Sequence, residues 1–412
     1  METLHIMQDQ ARARRWNARK LWVWLHRWVS LAAGLLLVLL GLSGSALVWR
    51  AELDAMLNPA WLQARPACAA AETAPEAAPI RRVLQLLAEQ APGRKPALIV
   101  APAQPGAAYQ VWERRDPQTG WRREHFIDAR CGLYLGHRDR GAVRWDAAHL
   151  MPTLFELHRY LLSGDRGETV VGIGGLVLLG LGLSGIWLAW PARPSWRSWR
   201  QALSIKTGAS TARTWFDVHR AVGLWMAPVL IVLSLTGAAL AFGDSTRALV
   251  GSVLPVQSWP KLKPSAQPAA ASTDWDYDAL ARAAEAQFPA GQARWTRITL
   301  AKASEGQTEL RLLQQGEWRK DTGSTRLRLN LQGQPQALHD PLHTGAGNQV
   351  LDFIYPLHKG EALGLGARLL WTPVRPDAGT PAGQRRLPLA ATPGGARLSP
   401  LWRQLSAHRP RR

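Results

Sequence analysis

Three long stretches of this chain contain no charged residue: Trp28–Trp49, Thr169–Trp190 and Ala221–Gly243. Roughly 20 apolar residues in a helix cross the hydrocarbon layer of a bilayer. A helix also satisfies every backbone group of a lone segment there. The chain therefore reads as an α-helical integral membrane protein with three clear spans, at 21–49, within 153–190 and at 215–243. A basic N-terminus precedes the first span as it would in a signal peptide. That span is longer than a typical signal core and no clean Ala-x-Ala site follows it, so it reads as an uncleaved anchor.

A formal charge of +20 would point to nucleic acid in a soluble protein. Here the basic residues fall into membrane-flanking groups. Arg12, Arg14, Arg15, Arg19 and Lys20 precede the first span; Arg193, Arg197, Arg200, Lys206 and Arg213 lie between the second and third. The positive-inside rule puts the N-terminus (1–20) and the 191–214 loop in the cytoplasm, and 50–152 and 244–351 on the outer side, the periplasm of a bacterial cell with the chain in its inner membrane. No single basic stripe with an aromatic platform remains for nucleic acid. Tryptophans at the span ends, Trp22, Trp28, Trp49, Trp187, Trp190 and Trp225 among them, suit interfacial anchoring. Cys68 and Cys131, the two cysteines, both fall on the outer side. Their spacing leaves open whether they pair. No Cys-x-x-Cys-His is present, which excludes covalent haem attachment.

Four histidines share one local frame, an aliphatic residue before and a basic residue after: Leu25-His26-Arg27, Leu157-His158-Arg159, Val218-His219-Arg220 and Leu357-His358-Lys359. Imidazole at a membrane border is costly unless something binds it, so the set is expected to supply axial ligands to haem iron. Helix direction places His26 and His219 at the cytoplasmic border and His158 and His358 at the outer one, which pairs them for an inner and an outer haem b. Arg27, Arg220, Arg159 and Lys359 are expected to neutralise the haem propionates; snorkelling to lipid headgroups is the plainer role for each alone.

The first and third spans align without gaps. Trp22 stands to His26 as Trp215 to His219, and Ser43-Gly44 lies as far beyond His26 as Thr236-Gly237 beyond His219. The second span carries a related Leu183-Ser184-Gly185, with its histidine displaced into a short amphipathic segment, Thr153–Leu162. The outer segments also repeat. Ile80–Ala91 reads as a helix followed by strands at Ala97–Val100, Tyr109–Arg114 and His125–Asp128; Asp278–Phe288 reads as a second helix followed by Thr296–Leu300, Glu309–Gln314 and Arg326–Leu331. Each is expected to be a small α+β domain, tied to the membrane by Pro/Ala-rich linkers at Arg65–Pro79 and Pro255–Ser272.

With these elements in order, the chain resembles the PepSY-associated transmembrane (PepSY_TM) family, which includes ferric-siderophore reductases and iron-regulated inner-membrane proteins. Trp24-Leu25-His26-Arg27-Trp28, Leu154-Phe155-Glu156-Leu157-His158-Arg159, Trp215-Phe216-Asp217-Val218-His219-Arg220 and Asp352-Phe353-Ile354-Tyr355-Pro356-Leu357-His358-Lys359 carry the resemblance. It implies PepSY-like outer domains and four spans. The fourth begins at 352–371 and then gives way to a Pro-, Arg- and Gly-rich tail, 372–412, that reads as frame-shifted or disordered. Without that span the outer haem is expected to be held poorly through His358.

The resemblance implies electron transfer across the membrane to a ferric siderophore, with iron released on reduction. No nucleotide or flavin fingerprint stands out, so the donor is expected to be a quinol or a soluble cytoplasmic reductase. A non-enzymatic reading stands beside it, in which PepSY-like domains regulate a partner protease or sensor and the histidines are structural. His125, His137, His339 and His343 in the outer segments lack the repeated frame, and no site is assigned to them.

Overall fold

A computed structural model describes residues 2–63, 79–260, 275–301 and 306–372, with side chains of the first helix described from residue 18 onward. The first apolar run lies in α1 (Glu2–Val48), whose Ala18–Val48 portion is long and apolar enough to span a membrane. Leu31 and Leu35 on it are 66% and 85% exposed, as a lipid-facing surface requires. Beyond it come two short helices, α2 (Arg50–Leu57) and α3 (Pro59–Leu62).

A helix and four antiparallel strands follow: α4 (Pro79–Gln90), β1 (Pro96–Val100), β2 (Tyr109–Glu113), β3 (Arg122–Asp128) and β4 (Leu133–Arg140). The chain returns to the bundle through α5 (Leu150–Tyr160), crosses in α6 (Gly164–Ala189), turns in α7 (Trp196–Ala202) and crosses again in α8 (Thr211–Ala241). The second half then repeats the first: α9 (Gly243–Gly251), α10 (Tyr277–Glu285), β5 (Ala293–Thr299), β6 (Gln307–Gln314), β7 (Thr325–Asn330), β8 (Pro335–His339), α11 (Ala346–His358) and α12 (Gly364–Trp371). Three helices qualify as spans among the described residues. Residues 373–412 and Cys68 lie outside the described residues; Cys131 is disulfide-bonded.

The expectation of two separate α+β units needs correcting. The strands form one eight-stranded sheet in the order β4-β3-β2-β1-β5-β6-β7-β8. β1 and β5 join the halves antiparallel, with Ile99 opposite Ile298 and Val100 opposite Arg297. Each half alone would leave the open edge of its first strand as a row of unpaired N–H and C=O groups; pairing the two edges removes both. The cores also merge. Val83, Leu86, Ile99 and Val111 from the first half share one apolar cluster with Leu280, Ile298, Leu310 and Leu327 from the second. The fourth strand of each meander escaped the sequence pattern because Leu-Tyr-Leu-Gly-His-Arg-Asp-Arg and Pro-Gln-Ala-Leu-His lack an apolar alternation.

Asp278 on α10 fastens the halves together. Its two carboxylate oxygens accept the backbone N–H groups of Ile80 and Arg81 at 2.9 Å each, capping α4 from across the sheet's two-fold repeat. Asp278→Ala is expected to lower stability by about 1–2 kcal/mol, the usual cost of losing an N-terminal cap, read as a fall in the thermal unfolding midpoint. An unchanged midpoint would show that the halves hold together without this cap.

Candidate functional site: two facing histidine pairs

The helices bring the four framed histidines together in the pairs that topology predicts. His26 on α1 faces His219 on α8 with ring centres 6.3 Å apart, and His158 on α5 faces His358 on α11 at 6.3 Å. The rings are inclined by 69° and 40°, so neither pair is stacked. With metal–nitrogen bonds of about 2.0 Å and each ring centre about 1.1 Å behind its nitrogen, one ion between facing imidazoles separates ring centres by about 6.2 Å. The spacing of both pairs fits that requirement.

The Ser/Thr-Gly pairs noticed in sequence are the seats of these rings. Ser43 on α1 lies 3.1 Å from His158 Nδ1, Thr236 on α8 2.9 Å from His358 Nδ1, and Ser184 on α6 2.9 Å from His26 Nδ1. Each hydroxyl gives its own proton to a carbonyl of its helix: Ser43 to Leu39 at 2.7 Å, Thr236 to Val232 at 2.6 Å and Ser184 to Leu181 at 3.1 Å. The hydroxyl oxygen is then an acceptor, so Nδ1–H donates and the proton-free nitrogen is Nε2. That is the tautomer a metal ligand needs. The adjacent glycine admits the ring: a Cβ at Gly44 would sit 2.8 Å from His158 Cε1, one at Gly237 3.1 Å from His358 Cε1, and one at Gly185 3.4 Å from His26 Cε1.

His219 differs. It is exposed, and among the described residues no hydroxyl is bonded to its ring. Among the described residues, His358 is the last residue of α11 and lies against Thr236 on α8. The turn after the equivalent helix, α5, holds Leu161 and Leu162 at φ 45° and 57°. Such left-handed backbone is costly for leucine, and it lets α6 descend while His158 stays aimed at the bundle.

The four framed cations are bound to protein groups. Arg220 donates to the Ala202 and Gln201 carbonyls at the end of α7, at 3.0 and 2.9 Å, and pairs with the buried Asp217 at 2.9 Å. Arg159 pairs with Glu168 at 3.0 Å, and Lys359 with Asp321 at 3.2 Å and with Glu361. Arg27 lies over the Trp28 ring at 5.4 Å. Arg220 thus pins the α7 turn to α8. Asp321 and Arg319, bonded at 2.8 Å, link the strand-connecting loop to the end of α11.

Among the residues with described side chains, the other histidines sit in ordinary polar networks. His125 bonds Glu113 and Tyr134 at 2.8 and 2.9 Å, His339 bonds Asp352 at 2.7 Å, and His343 bonds Asp340 at 2.9 Å. Among the described residues, no group of three or more His, Cys, Asp or Glu side chains is placed to hold a metal ion. A metal held by either histidine pair must bring its other ligands with it.

Residues 23–374 match the family described as the PepSY-associated TM region. The chain belongs to that family. The uncharacterized protein PA4219 of Pseudomonas aeruginosa is 30% identical to this PepSY-associated protein over 100 residues, a match that covers 24% of this chain and 24% of that relative. The chain thus meets about a quarter of that curated relative's length. Family membership and the three apolar helices make this a membrane-spanning protein.

Proposed function

We propose that this PepSY-associated protein is a di-haem electron conduit of the bacterial inner membrane, with its N-terminus in the cytoplasm and its PepSY-like sheet in the periplasm, and that it reduces a ferric siderophore. The observation that carries the reading is the repeated 6.3 Å spacing of facing imidazoles at both ends of the bundle. Two protein nitrogens are what an iron porphyrin asks of its host, since the macrocycle supplies the other four. Bound there, haem b would supply one-electron transfer with no open coordination position for oxygen.

The residues divide the work by position. His26 and His219 would hold the cytoplasmic group, and His158 and His358 the outer one. Ser184, Ser43 and Thr236 fix the ring tautomer and orientation of three of the four. The outer pair is the better seated, with a hydroxyl and a glycine for each ring, whereas the inner pair has one exposed member. No general acid or base is needed, because reducing a ferric chelate requires proximity and potential rather than a nucleophile. The basic 191–214 loop supports the proposed orientation. A quinol or a soluble reductase would meet the His26–His219 end.

The glycine seats give a graded test. Gly44→Ala is expected to displace His158 and reduce outer-haem retention by roughly tenfold or more, comparable to losing a group that orients a ligating imidazole, although alanine is the better helix former by about 1 kcal/mol. Gly185→Ala, at ordinary contact distance from His26, is expected to leave the inner haem in place. Haem retained per chain after gel filtration checks both. Equal behaviour of the two variants would contradict the seating argument.

A further inference from the structure

The face of the sheet opposite the apolar core is basic where it meets Phe155 on α5. Trp112 on β2 is surrounded by three guanidiniums, Arg140, Arg122 and Arg297, at 4.7, 5.4 and 5.4 Å from its ring centre. Arg140 also lies 5.7 Å from the Phe155 ring, over which Arg50 sits at 4.9 Å. Phe155 stands one helical turn before His158 on α5. Three strands, β3, β4 and β5, and the start of α2 therefore deliver four cations around Trp112 and Phe155.

These cations outnumber the carboxylates near them: Glu124 acts on Arg50, Arg122 and Arg140, Glu156 on Arg122 and Asp321 on Arg297. Among the described residues, none of Arg50, Arg122, Arg140 and Arg297 is within ion-pair distance of a carboxylate. Glu124 bonds Arg138 through Oε2 at 2.6 Å, while its buried Oε1 has no hydrogen-bond partner among the described residues, so this one carboxylate is shared among Arg138 and the cluster. Burial and the neighbouring Arg50 pull Arg140 down to about 9, and burial with Arg319 lowers Arg297. Two buried donors are also unpaired, Trp112 Nε1 and Arg297 Nε. Buried N–H groups nearly always have an acceptor. Like charges gathered with orphaned donors call for an anion.

We propose that Arg50, Arg122, Arg140, Arg297 and Trp112 form a carboxylate-binding site at Phe155, one helical turn from His158 of the outer pair. The carboxylates come either from the edge of a porphyrin held by His158 and His358 or from a soluble chelate brought to that pair. The first source rests on the haem reading above; the second does not require it. If the porphyrin is the source, the site takes over the role expected of Arg159 and Lys359, which pair with protein carboxylates.

The test uses the full-length, haem-loaded protein in detergent, titrated calorimetrically with citrate, together with haem counts and midpoint potentials. The variants are Arg140→Gln, Arg297→Gln and Trp112→Phe, with Arg297→Lys keeping the charge without the fork and Arg197→Gln as a control at the opposite end of the bundle. If the ligand is soluble, wild type binds citrate, each Gln variant weakens it by about tenfold or more, Arg297→Lys falls between, and the haem count stays unchanged. If the porphyrin supplies the carboxylates, wild type does not take up citrate, and the Gln variants lose one haem or shift the potential of only one. The proposal is overturned if wild type ignores citrate and the variants alter neither haem count nor potential, or if Arg197→Gln weakens citrate binding as much as Arg140→Gln. A preparation without haem that still binds citrate through Arg140 and Arg297 would remove the electron-transfer reading and leave this site standing.

Discussion

Replacing His358 by alanine is expected to halve the haem content of the purified protein. His158 would then face an empty position, because His358 is the imidazole placed 6.3 Å across from it. A single imidazole on the short α5 leaves the iron of a bound porphyrin half-ligated. The loss should fall on one haem, since Thr236 and His358 lie at the opposite end of the bundle from His26 and His219. Thr236→Ala should have a smaller effect of the same kind, roughly 10- to 100-fold in retention, because it frees the ring without removing it. His343→Ala should have none: that residue is half-exposed and bonded to Asp340, away from both pairs. A pyridine haemochrome count after each substitution separates these cases. Equal losses for His343→Ala and His358→Ala would indicate general unfolding and contradict the assignment.

The largest stability effect is expected at Arg138. Its guanidinium is buried between two carboxylates, Asp54 on α2 at 2.8 Å and Glu124 on β3 at 2.6 Å, and donates also to the Ala148 carbonyl at 3.1 Å. Burial pushes the Glu124 carboxyl up, and Arg138 with Arg140 more than reverses this, so it remains below the ordinary carboxylate range. Arg138→Met removes the cation and strands both anions away from water. Such a break costs about 3–5 kcal/mol. The companion change Arg138→Met with Asp54→Asn and Glu124→Gln should recover much of the loss, because an uncharged replacement of a buried triad is far less costly than a broken one. Thermal unfolding of the two variants distinguishes them. A loss under about 1 kcal/mol for Arg138→Met would place the triad among weakly contributing ion pairs. Asp54 follows the first span directly, so this triad is also what registers the sheet against the helix that carries Ser43.

The uneven legibility of the chain has physical causes. The spans were plain because lipid imposes long uncharged runs, and the histidine pairs because helix direction alone sorts them to opposite ends. The Ser43-Gly44 and Thr236-Gly237 repeat was visible as an alignment, but its purpose depends on the returning helices α5 and α11, which pack the outer rings onto it. Ser184-Gly185 could be seen as a relative of those motifs; that it seats His26 follows only from α6 lying beside α1. The union of the two α+β units was hidden because β1 and β5 look the same as strands of a free sheet and as the seam of a shared one. The polar strands β4 and β8 gave no alternation to read. Arg50, Arg122, Arg140 and Arg297 are scattered through the chain, and only the strand register between β1 and β5, with Val100 opposite Arg297, brings them to one face.

The spectrum and haem count of the full-length protein purified from haem-sufficient cells test the central claim most directly. The account predicts two haems per chain, both low-spin with two imidazole ligands in the oxidised and reduced states. A colourless protein, or iron with an open sixth position at both sites, would contradict it.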